Sequence, residues 1–187
     1  MSCDQRTFDS RDELISYIQD TDNEYTHAKS VKGVDVKVQY RPHDLIVSQY
    51  IKGNDNSKTS IDSLRRKFKD YLYFNISFSS LSNDVLLARS VDRSSYGQLS
   101  NRLSFEMKNY ILLRTTQGDT INLFDYSFPK TYGKSKSSSL LCVFPIPHNQ
   151  IRGEYLNLTV QEFGLKTGEL NFKIPIEKIK KQPELQF

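Results

Sequence analysis

Val34-Asp35-Val36-Lys37-Val38-Gln39-Tyr40-Arg41 alternates apolar and polar side chains without a break. Successive side chains of an extended chain point to opposite faces, so this stretch offers one face to a core and one to water. It is the cleanest strand signal in the sequence, and it sets the reading of its neighbours. Lys32-Gly33 just before it is a two-residue turn, and Tyr25 to Val31 supplies the other arm of a β-hairpin. Further upstream, Asp9-Ser10-Arg11-Asp12-Glu13 opens a helix. Ser10 caps it, Glu13 completes a capping box, and the acidic first turn suits the helix dipole. Leu14, Ile15, Tyr17 and Ile18 form its apolar face, and it is expected to end near Asp20 to Asn23.

Downstream of the hairpin, Pro42 suits the first position of a second helix, with His43 and Asp44 in its first turn and Gly53 as its C-terminal cap. Thr59 or Ser60 caps a third helix carrying Ile61, Leu64 and Phe68 at helical spacing. Tyr71 to Ser79 returns to period two, with Phe74, Ile76 and Phe78 on one side. Ser94 to Met107 reads as a helix through Tyr96, Leu99, Leu103 and Met107, weakened at Gly97. From Tyr110 onward the pattern is almost all β. Ile111 to Thr116 and Thr120 to Leu123 flank a turn at Gln117-Gly118-Asp119; Ser139 to Phe144, Tyr155 to Phe163 and Glu169 to Ile174 are further strands.

These signals predict an α+β fold of N-terminal helices and β-hairpin with a C-terminal antiparallel β-sheet or small β-sandwich. Residues 1–8 are expected to be a flexible tether and 9–177 a single domain, helix-rich over 9–108 and β-rich over 109–177. Residues 178–187, with Lys178, Lys180, Lys181 and Pro183, are expected to be a frayed basic tail. A chain of 187 residues is long enough to bury a core, and 12% aromatic content with 37% apolar content is globular rather than disordered. The formal charge of +4 is spread among mixed signs and demands neither a nucleic-acid nor an anionic-lipid partner. No apolar run approaches the ~20 residues of a membrane-spanning helix.

Every catalytic pattern tested fails. Gly133-Lys134-Ser135 ends like a phosphate-binding loop, but Phe128 stands where the first glycine of that loop must turn the backbone. Ser127-Phe128-Pro129-Lys130 and Lys166-Thr167-Gly168 have the letters of a serine β-lactamase, but Pro129 forbids the helix that would bring Lys130 beside Ser127. His27, His43 and His148 are scattered, without a second ligand at metal spacing. Cys142 lies in the apolar run Leu140 to Phe144 and reads as a buried, inert thiol. The expectation is a non-enzymatic chain without a metal or cofactor; a hydrolase with an unrecognised site is a third reading.

Two surfaces are candidates for binding. Phe124, Tyr126, Phe128, Lys130 and Tyr132 crowd aromatic and basic groups into one segment, although alternate rings at 124, 126 and 128 also suit the core face of a strand. Arg65, Arg66, Lys67 and Lys69 form the densest basic run, followed by Tyr71, Tyr73 and Phe74. That arrangement suits a cytosolic domain that binds nucleic-acid phosphates and stacks bases, or one that meets anionic headgroups. A solvated helix face is the preferred reading of the run.

Ser2-Cys3, followed by the polar run Asp4-Gln5-Arg6-Thr7, resembles the mature end of a Gram-negative bacterial lipoprotein. In that family a small residue precedes the cysteine, the leader is cut between them and the thiol is acylated. The resemblance implies lipid attachment at Cys3, with Met1 an added start in place of the leader. The implied address is the cell envelope, periplasmic or surface-facing, and the implied role is that of an accessory or binding subunit with a protein partner there.

Overall fold

Lys32 and Gly33 both take positive φ, 50° and 74°, the geometry that lets a two-residue turn follow the twist of its strands. The structure, a computed structural model, describes residues 6–51, 57–81, 83–131 and 134–187. In chain order the elements begin with β1 (Thr7–Phe8), α1 (Arg11–Gln19), β2 (Thr26–Val31), β3 (Val34–Tyr40), α2 (His43–Tyr50), α3 (Lys58–Phe68) and β4 (Leu72–Ser80). Then come β5 (Asn83–Asp84), α4 (Val85–Arg89), α5 (Arg93–Asn101), β6 (Ile111–Thr115), β7 (Thr120–Asn122), β8 (Asp125–Ser127) and β9 (Ser138–Phe144). The last are β10 (Tyr155–Val160), β11 (Leu170–Pro175), α6 (Ile176–Lys180) and β12 (Glu184–Leu185).

The fold is α+β with antiparallel sheets. The larger sheet runs β2-β3-β4-β9-β8 with β5 on β4, and the smaller runs β11-β10-β6-β7. Val34, Val36, Val38, Phe74, Ile76, Phe78, Leu140 and Cys142 face inward from the first sheet. Ile111, Leu113, Leu156, Leu158, Phe172 and Ile174 meet them in the same core from the second. Phe78 touches Phe163 edge-on at 5.2 Å. Alternation along each strand thus produces a sandwich-like core by the rule that made β3 legible.

The helix-rich and β-rich parts share a sheet. β9 pairs with β4 from Leu72↔Phe144 to Phe78↔Ser138, so a strand from the C-terminal half completes the N-terminal sheet. The helix expected over 94–107 breaks into α5, a π-type turn at Arg102–Glu106 and a 3₁₀ turn at Met107–Asn109. Met107 N–H donates to the Tyr126 hydroxyl at 3.3 Å, and Arg102 donates to the Phe163 carbonyl at 2.9 Å. Those long-range partners end the regular helix. α4, capped by Asp84 Oδ1 accepting from Leu86 N–H at 2.8 Å, has no counterpart in the sequence reading. The cap of α3 is Ser57 rather than Thr59 or Ser60, and Gly53 lies outside the described residues.

Both termini are also corrected. Thr7 and Phe8 are not tether: they pair in parallel with Glu184 and Leu185. The tail does not fray. Ile179 of α6 and Leu185 of β12 are buried in the core, because these apolar side chains have somewhere to go. Ser10 caps α1 as expected, accepting from Glu13 N–H at 3.2 Å.

Candidate functional site

α2 and α3 cover the outer face of the larger sheet at one end only, where Ile46, Val47, Ile61 and Phe68 pack on Tyr73. This small second core turns a row of aromatic rings toward the surface. Centroids are 4.9 Å apart for Tyr50–Phe68, 6.3 Å for Phe68–Tyr73, 6.5 Å for Tyr73–Tyr71 and 5.8 Å for Tyr71–Phe124. Phe68 and Tyr73 are buried and Tyr71 is half-buried, while Tyr50 and Phe124 at the two ends are 52% and 56% exposed. Phe124 is held by its N–H donating to the Val143 carbonyl at 2.9 Å, and its own carbonyl accepts from Lys108 Nζ. Lys67 Nζ stands 5.6 Å from the Tyr50 ring and 5.4 Å from that of Phe68, close enough for cation–π attraction. The aromatic segment and the basic helix, far apart in sequence, therefore meet at Tyr71–Phe124. The site is a string of rings with lysines beside it, suited to ligands that combine negative charge with a flat or apolar part.

The members of the two candidate sets fare differently. Arg65 leaves the basic run: its Nε and Nη2 donate to Asp44 at 2.8 and 2.6 Å, and Nη2 also donates to the Leu185 carbonyl at 3.2 Å. The bond to Asp44 holds its guanidinium above the usual arginine value. Arg66, Lys67 and Lys69 remain exposed. Of the aromatic segment, Tyr126 and Phe128 pack against the core as a strand face, and burial pushes the Tyr126 phenol up. Phe124 and Lys130 face solvent. Tyr132 and Cys3 lie outside the described residues. Cys142 is fully buried, and that burial drives its thiol far above the ordinary range.

Beside α3 lies a cleft of about 340 Å³ lined by Asp44, Arg65, Lys69, Lys180, Gln182 and Glu184, among others. Gln182 Oε1 accepts from His43 N–H at 2.9 Å and from the Tyr40 hydroxyl at 3.0 Å. Its Nε2 lies 3.0 Å from His43 Nδ1, and His43 Nε2 lies 2.8 Å from the Tyr71 carbonyl. Nε2 is thus placed to donate to the Tyr71 carbonyl, and Nδ1 to accept from the Gln182 amide. This ties the chain end to α2, and nothing local in the sequence marks Gln182 for the task. His27 Nε2 is likewise within 3.1 Å of a backbone carbonyl, that of Glu24. Among the described residues, no three His, Cys, Asp or Glu side chains are placed to hold a metal ion.

The sequence matches no family model and no curated protein. Among solved structures, it resembles a novel protein of unknown function from Burkholderia pseudomallei K96243. The two share 8% identity over 89% of this chain and 83% of that one, with a TM-score of 0.42.

Proposed function

We propose that this chain is a non-enzymatic accessory or binding protein of a bacterial cell envelope, held on a membrane by an acyl group at Cys3. What supports the reading is the neighbourhood of the first described residues. Thr7 pairs with Glu184, and Glu184 lines the cleft that also contains Lys69 and Lys180. Asp4, Gln5 and Arg6 separate Cys3 from Thr7, a stretch reaching about 14 Å at full extension. A lipid at Cys3 therefore brings both ammonium groups near the headgroups, where each is worth about 1 kcal/mol against an anionic surface.

The test is the intact mass of protein taken from its native membranes, together with fractionation of Cys3→Ser. The expected results are an acyl adduct on Cys3 and release of the variant into the aqueous fraction. An unmodified Cys3, with the variant still sedimenting with membranes, overturns the reading. The alternative, a nucleic-acid binder, draws on two exposed stacking platforms, Tyr50 beside Lys67 and Phe124 beside Lys108. It expects oligothymidylate binding that weakens steeply with salt, and absent or salt-independent binding removes it.

A further inference from the structure

The two sheets each leave one long edge without a partner strand among the described residues, the outer side of β2 and the outer side of β11. These edges face one another across a groove of about 820 Å³, with Thr26, Ala28 and Lys29 on one bank and Asn157, Phe172 and Lys173 on the other.

Ladder phase decides which backbone groups look into it. Tyr40 N–H donates to the Tyr25 carbonyl at 2.8 Å. Bonded and non-bonded pairs alternate along an antiparallel ladder, so His27, Lys29 and Val31 are bonded to β3. Thr26, Ala28 and Ser30 turn their N–H and C=O groups outward. On the other bank Ile176 N–H donates to the Glu154 carbonyl at 2.9 Å. By the same alternation Asn171 and Lys173 point theirs away from β10. None of these five outward positions has a backbone hydrogen bond elsewhere among the described residues.

Edge lysines commonly block a strand from pairing, but here both are drawn onto rings. Lys29 Nζ lies 5.6 Å from the Phe172 centroid and Lys173 Nζ 4.7 Å from that of Tyr155. Lys29 thus reaches from the β2 bank to the β11 bank, the outward backbone groups stay unpaired, and two positive charges are held beside them. Asn157 Oδ1 is buried with no donor among the described residues, although its Nδ2 donates to Asn171 Oδ1 at 3.2 Å. A buried acceptor left without a donor is costly and calls for one.

We propose that this groove binds an extended acidic segment of a partner protein, which adds to the edge of β2 as a further strand and turns carboxylates toward Lys29 and Lys173. Backbone pairing supplies the affinity, and the two ammonium groups select the charge. The proposal does not depend on a lipid at Cys3.

The experiment titrates ¹⁵N-labelled full chain with the capped hexapeptide Thr-Glu-Val-Glu-Val-Thr, its Lys-for-Glu counterpart, and an acidic version N-methylated at alternate residues. The acidic peptide is expected to shift the amides of Thr26, Ala28, Ser30, Asn171 and Lys173, with the other two binding at least tenfold more weakly. Lys29→Glu with Lys173→Glu should reverse the charge preference while amides remote from the groove keep their positions. No shift at these amides with millimolar acidic peptide overturns the proposal. So does equal binding of the N-methylated peptide, which would mean ionic contact without strand addition.

Discussion

Removing the Arg65 side chain tests whether the chain end is held by a buried charge or merely lies against the helices. Asp44 is 4% exposed and accepts from Arg65 Nε and Nη2 at 2.8 and 2.6 Å and from Leu185 N–H at 2.9 Å. Arg65→Ala leaves that carboxylate with one backbone donor in a site nearly closed to water. Stripping one partner from a buried ion pair costs about 3–5 kcal/mol. The Arg65 side chain is itself 36% exposed, so water reaches the vacated side and the expectation drops to about 2–3 kcal/mol. For a chain of this size that corresponds to about 4–12 °C in melting temperature. Asp44→Ala leaves a guanidinium that water can solvate but takes the acceptor from Leu185 N–H, for about 1–3 kcal/mol. Urea unfolding of both single variants and the double variant gives the coupling directly, expected between about 0.5 and 3 kcal/mol. Hydrogen exchange at the Leu185 amide should accelerate in Asp44→Ala. Additive losses within about 0.5 kcal/mol, or an unchanged Leu185 exchange rate, refute this account of the pair.

Three further outcomes are expected. Cys142 should resist a thiol reagent in the native protein and react only on unfolding, as mass spectrometry after brief labelling will show, because burial keeps the thiol protonated. Burial also pushes Tyr25 up from the ordinary value of 10.0 to about 12, and Tyr40 and Tyr73 upward with it. The unfolded chain releases those protons first, so stability is full below pH 10 and falls as pH rises from there; a midpoint in urea that stays constant from pH 9 to 11 would contradict this. Gly118 and Gly153 both take positive φ, 94° and 100°, but an added Cβ meets nothing within 4 Å at the first and lies 2.0 Å from Thr116 Oγ1 at the second. Gly118→Ala should cost about 1–2 kcal/mol from backbone strain alone, and Gly153→Ala clearly more, measured by the same unfolding assay.

Local chemistry made much of the fold readable. The 25–41 hairpin, α2, α3 and the strands of the two sheets all carry their own periodicity or turn residues, and these elements form nearly where they are expected. What local pattern cannot carry is partnership. β9 is as regular a strand as β10, yet it joins the other sheet because Phe74 and Ile76 offer it a matching face. β1 and β12 are two residues each, too short for any period to show. The tail misled because lysines and Pro183 dominate its composition, while Ile179 and Leu185 decide its fate. The candidate surface was half legible. Phe124 and the basic helix each stand out in the sequence, but their contact through Tyr71 exists only in three dimensions, and Arg65 gave no sign of its pairing with Asp44.

The pairing of β1 with β12 has a mechanical side. The two strands run the same way, joined by Glu184 N–H to the Arg6 carbonyl and Gln186 N–H to the Phe8 carbonyl, each at 3.0 Å. Tension applied at the front of one strand and the back of the other slides them lengthwise, loading both bonds together instead of peeling them apart in turn. A body moored by its first residues and pulled at its last would meet that resistance before any of its sheets felt the load.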